Sequence, residues 1–159
     1  MKSLMDMSCD KLNLSEADFR LSLPFMRVAL EGEMSYTLEL RKDISSVVAT
    51  MAKNFDMATE YESFSRERYE LFERSTQPLY YIISIEQKLT LDDIIKSANA
   101  LSHGQYGISK HPNFKKMMVI TSDLAIVMAA KGLSSDAFGN MPVEVFAHLE
   151  DAVAAIRAS

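Results

Sequence analysis

The stretch "LYYIISI", residues 79–85, is apolar on both faces apart from Ser84. Side chains of a strand alternate between two faces, so such a run must be covered on both. That requirement points to a sheet enclosed by helices. "KMMVIT" is a second buried strand and "PVEVF" a last one. The intervening segments switch to helical spacing. Leu91, Ile94, Ile95, Ala98 and Leu101 form one stripe, and Leu149, Ala152, Val153 and Ile156 form another that faces inward. Upstream, "YTLEL" alternates, a polar "RKD" follows, and "ISSVVATMA" is rich in β-branched residues, so these two strands predict an antiparallel hairpin. In "FDMATEYESFSRERYELFERST", Met57, Tyr61, Phe64, Leu71 and Phe72 fall at helical spacing, and Arg68 is the one polar residue in their stripe. Asp56 is the expected N-cap of this helix, and Pro78 lies beyond its end.

The order ββαβαβαβα predicts an α/β fold with an open, largely parallel sheet and helices packed on it. It occupies residues 34–159, and residues 1–33 form an N-terminal extension or docking arm. In that extension "LSEADF" offers Ser15 as a cap, Pro24 interrupts the turn, and "FMRVALEGEM" fits strand and helix equally.

A chain of 159 residues suits one domain of ordinary size. Its formal charge of −5 argues against nucleic acid, which needs a basic face, and the cluster Lys110, His111, Lys115 and Lys116 is too small to reverse that. Cys9 is the single cysteine, so no internal disulfide or thiolate metal cluster is expected. "MKSLMDMSCDKLNL" lacks the apolar run of a secretory signal. The longest apolar stretches fall short of the roughly 20 residues of a membrane helix. No integral membrane segment and a cytoplasmic location are the expectations.

Catalytic motifs are missing. The histidines His103, His111 and His148 never fall four apart on one helix, which removes the zinc-protease arrangement. There is no nucleophile elbow, no dinucleotide-binding glycine turn and no phosphate-cradling loop. Asp92-Asp93 and Glu150-Asp151 each sit in a first helical turn, where the dipole accounts for them. Thr90 and Asp93 make a capping pattern, and a phosphate on Thr90 would be repelled by the two aspartates. Catalytic, cofactor and metal sites are therefore expected to be absent. The irregular loop "SHGQYGISKHPNF" is where a small site has room, through His103, Tyr106, Lys110 and His111. The helix "DLAIVMAAKGL" is apolar nearly all round, so a second face carrying Ile126, Ala129 and Leu133 is covered either by this chain or by another protein.

Three segments carry a resemblance: "QPLYYIISI", a proline before a wholly apolar strand; "HPNFKKMMVIT", a His-Pro-Asn turn feeding a strand; and "VEVFAHLEDAVAAI", a strand running straight into a terminal helix. Together with the element order, they resemble the STAS superfamily of anti-sigma-factor-antagonist-like domains, as small bacterial proteins of that kind do. The resemblance spans roughly residues 34–158 and implies the SpoIIAA-like (STAS-like) open mixed sheet. In signalling members a serine in an Asp-Ser-Ser-Gly-like turn is phosphorylated. The matching "EQKLTLDD" has no Asp-Ser pair and no glycine, so that switch does not carry over. Two functions are expected on this basis. One is a non-catalytic regulatory domain that docks on a protein partner or on itself. The alternative is a carrier of a small apolar ligand, a lipid or isoprenoid, held by an interior with many of the chain's eleven methionines.

Overall fold

The architecture comes from a computed structural model that describes residues 34–159. The expected extension or docking arm, residues 1–33 with its Ser15 cap, lies outside the described residues. Five strands form one sheet: β1 (Tyr36–Arg41), β2 (Ser46–Met51), β3 (Leu79–Ile85), β4 (Phe114–Ile120) and β5 (Val143–Phe146), in spatial order 1-2-3-4-5. β1 pairs antiparallel with β2, and every later pair is parallel. The sheet is thus mixed. The β1–β2 turn is a short 3-10 segment, Lys42–Ile44, closed by Ser45 in the left-handed region at φ 47°. Among the described residues there are four α-helices: α1 (Tyr61–Glu73), α2 (Leu91–His103), α3 (Leu124–Gly132) and α4 (Leu149–Ala158). None is long and apolar enough to cross a membrane.

Register explains why β3 is apolar throughout. On one face Val47, Tyr81, Met117 and Val143 lie in a row across the strands, and Ala49, Ile83, Val119 and Val145 form the next. α1, α2 and α3 pack over these rows through Phe64, Phe72, Ala98, Leu101, Ile126 and Ala130. On the other face Tyr80, Ile82, Met118 and Ile120 meet α4 through Ala152, Leu149, Val153 and Ile156. The inward stripe expected for the last helix is the one observed. Full burial of a side chain such as Ile82 contributes about 1.5–3 kcal/mol.

Thr90 is the N-cap of α2. Its hydroxyl accepts from the Asp93 N–H at 3.2 Å, and the Asp93 carboxylate accepts from the Thr90 N–H at 3.1 Å, completing a capping box. α1 begins later than its composition suggests. The Asp56 carboxylate accepts from the Ala58 N–H, while the Glu60 carboxylate reaches back to the Asp56 N–H at 2.8 Å. These local bonds hold residues 56–60 in turns, so the helical N-cap is Glu60.

The apolar stripe of α2 is divided. Ile94, Ala98 and Leu101 turn inward, whereas Leu91 and Ile95 are 71% and 46% exposed. For α3, of the two covers expected for the second face, it is this chain that supplies it. Asp123 caps the N–H groups of Ala125 and Ile126, and Ile126, Ala130 and Leu133 are buried against the sheet layer while Ala129 is half-buried. The exposed apolar side chains are instead Leu124 at 71% and Met128 at 67%. Ile126, Ala129 and Leu133 are therefore part of the chain's own interior and not an outer docking surface.

Candidate functional site

Between the sheet and the layer of α1, α2 and α3 there is a cavity of about 70 Å³. Its floor is Tyr81, Ile83 and Ile85 of β3 with Met117 and Val119 of β4, and Met51 closes one side. Ile94, Ala98 and Leu101 of α2, Ile126 and Ala130 of α3 and Leu133 at the end of α3 form its roof. Ile85, Leu89, Ile94 and Ala129 are half-buried members of its lining, as are Tyr61 and Ser97, and Ile85 stands at the carboxyl end of β3, the edge where open α/β sheets place ligands. Arg68, Tyr61, Tyr81 and Ser97 are the polar residues in its otherwise apolar lining. A volume of this size holds roughly two waters or one small headgroup.

Arg68 is the unusual member. It follows Phe64 and precedes Phe72 at four-residue spacing on the inward face of α1, which carries the guanidinium into the core. The residue is 1% exposed. One Nη donates to the Tyr106 carbonyl at 3.2 Å, and the guanidinium carbon lies 5.6 Å from the Phe64 ring centre and 5.4 Å from that of Tyr81. Its Nε is buried with no hydrogen-bond partner. Among the described residues no carboxylate lies within ion-pair distance of Arg68. The Tyr81 hydroxyl and Ser97 Oγ are likewise buried and unpartnered, while the Tyr61 hydroxyl donates to the Ser97 carbonyl at 3.3 Å. Burial pushes the Tyr81 phenol up to about 12, against the opposing pull of Arg68. Tyr81 is therefore a protonated donor at any physiological pH.

The loop residues divide into two groups. His111 is buried. Its Nδ1 accepts from the Asn113 N–H at 3.1 Å, which leaves the proton on Nε2 to be donated to Glu73 at 2.9 Å. Its ring stands edge-on to Tyr69 at 5.1 Å, and Tyr69 also faces Tyr106 at 6.1 Å. The Asn113 side chain donates to the Phe72 and Ser75 carbonyls. The His-Pro-Asn turn thus ties the end of α1 to the start of β4. Both ring nitrogens of His111 are engaged in that role, and neither is left as a base or a metal ligand. His103 and Lys110 are exposed and stand outside this cluster. Tyr106 does not line the cavity and meets it only indirectly, through the backbone carbonyl that accepts from Arg68. No group of three His, Cys, Asp or Glu among the described residues is arranged to hold a metal ion.

Arg68 is the site residue that motif reasoning misses, because it belongs to no motif. The available signal was a lone arginine inside an aromatic stripe. Comparisons with protein-family models, with curated proteins and with solved structures find no match for this chain.

Proposed function

We propose that this chain is a non-catalytic domain of STAS-like order that holds a small apolar molecule in the cavity beneath α2 and α3. The observation that carries this reading is the cavity itself, walled by aliphatic and methionine side chains and reaching the carboxyl edge of the sheet. Apolar pockets with a few placed polar groups are the usual form of a small-molecule site. The exposed side chains support it. Leu91 and Ile95 lie in the first half of α2, and Leu124 and Met128 in the first half of α3. Both helices start where β3 and β4 end, so these residues extend apolar surface outward from that edge. The cavity is too small for an alkyl chain as it stands. Loading requires α2 and α3 to part, and the flexible Met51 and Met117 lining eases that rearrangement.

Native mass spectrometry of freshly purified protein, with thermal unfolding in added decanol, tests the proposal. A ligand that binds the folded state alone raises its stability by mass action. A retained small-molecule mass or a decanol-dependent rise in Tm is the expected result. A bare chain whose Tm ignores decanol and every other small apolar compound contradicts it.

A protein-docking role is the second reading, favoured by the same four exposed side chains on α2 and α3. Leu124→Ser combined with Met128→Ser distinguishes the two. Docking predicts loss of association with decanol binding intact, and the carrier reading predicts no change in solution mass.

A further inference from the structure

We infer that Arg68 anchors the anionic head of an apolar acid, with the hydrocarbon tail lying along β3 toward Ile85 and Leu89. This rests on the cavity being a ligand site and names the chemical class of what it holds.

Guanidinium is charged at every accessible pH, so Arg68 is a permanent cation inside a low-dielectric layer. Such a charge is costly when it lacks a counter-ion. Two aromatic faces and one carbonyl compensate it only in part, and Nε remains unpartnered. A carboxylate or phosphate meets the planar fork with two parallel charge-assisted hydrogen bonds, which a neutral ligand does not offer. Tyr81 and Ser97, whose hydroxyl oxygens are likewise buried without partners, line the same cavity. Three unpartnered polar atoms on residues lining one small cavity are rare in a finished core, where buried polar atoms are nearly always paired.

The direction of the tail follows from the strand. Arg68 stacks over Tyr81, near the start of β3, and the lining extends to Ile85, the last residue of β3. Four residues of strand span about 13 Å, close to the extended length of decanoate. The head therefore sits at the Tyr81 end and the tail runs over Ile83 and Met117 to Ile85.

The test is isothermal titration of the full chain with decanoate, decyl phosphate and decanol, which share one tail. The expected result is that at least one acid binds about 10- to 100-fold more tightly than decanol, the range of a hydrogen bond to a charged group. The tighter of the two acids then identifies the head as carboxylate or phosphate. In Arg68→Met the acid preference falls to near unity, and a native-like circular dichroism spectrum with a cooperative thermal transition reports an intact fold. Tyr81→Phe lowers acid affinity by a smaller factor. Decanol binding as tightly as both acids in the native chain overturns the inference and leaves the cavity reading standing. The same holds if Arg68→Met keeps its preference for acids. If none of the three compounds binds, this inference is overturned, and the cavity reading falls as well when no other small apolar compound raises Tm. Should Arg68→Met fail to fold, the acid-to-decanol ratio of the native chain decides alone.

Discussion

Tyr80 and Tyr81 are neighbours in β3 and point into opposite halves of the molecule. The Tyr80 hydroxyl is 2.9 Å from Ser159 Oγ at the end of α4, and Lys115 lies over its ring at 4.4 Å. The Tyr81 hydroxyl faces a cavity, a buried arginine and no hydrogen-bond partner. Among the described residues, the face of the sheet beneath a single helix has no buried side-chain polar atom without a partner, and its space is confined to open surface clefts. The other, under three helices, leaves polar groups unsatisfied and space unfilled. Sheets of this type need both faces covered for stability, so the departure from close packing on one face is where function is to be sought.

The largest expected contrast is in packing. On the closed face Ile82→Ala removes a fully buried side chain beneath α4 and is expected to cost about 2–5 kcal/mol in chemical denaturation. A loss below about 1 kcal/mol would mean that this face is not tightly packed and would remove the contrast.

Next in size is the alkaline response of Tyr81. Its folded pKa of about 12 exceeds its ordinary 10.0. The folded state therefore holds the proton after the unfolded state has released it. The associated stability is complete below pH 10 and declines as pH rises toward 12, by about 3 kcal/mol at most. Tyr81→Phe should flatten this part of the stability profile, and Tyr80→Phe should not.

Arg68→Met sharpens the comparison from the opposite direction. Removing an unpaired buried cation should raise the stability of the ligand-free chain by about 1–3 kcal/mol. An equally large loss would mean that the aromatic and carbonyl contacts of Arg68 already satisfy it.

Smaller again is the cap on the cavity's roof. α2 begins with the Thr90–Asp93 box, while His148 at the start of α4 makes no side-chain cap bond. Thr90→Ala should cost about 1 kcal/mol and speed hydrogen exchange at the start of α2. The Thr90 hydrogen bonds hold the Asp93 carboxyl below its ordinary 3.8. This contribution is therefore complete above the ordinary aspartate range and is lost as pH falls through the lower folded value. Because Asp93 is largely solvated, the pH effect is small. The smallest effect belongs to Ala98→Leu, which adds volume where the cavity already has room. It should change stability by less than about 1 kcal/mol while abolishing decanol binding.

Much of this architecture was legible in the residues. An apolar run such as Leu79–Ile85 has one economical solution, and its alternating side chains do divide between two helix layers. The Thr90 box and the inward stripe of α4 follow from local spacing alone. The rotation of α3 did not follow, because a helix apolar on all sides has no periodicity to orient it, and only the sheet beneath decides which side is buried. The start of α1 was misplaced because Asp56 is an adequate cap whose bond goes to a turn. The site lay furthest from view. A cavity is a property of how three helices fail to meet, and it leaves no pattern in sequence beyond the stray charge of Arg68 among phenylalanines.

The two faces are tested most directly by methyl NMR of the methionines during a decanoate titration. Met117 and Met118 are adjacent in β4, one on the cavity floor and the other beneath α4. The account predicts that the methyl resonances of Met51 and Met117 shift with saturation while that of Met118 stays in place. Movement of Met118 alone, or of none of the three, would contradict it.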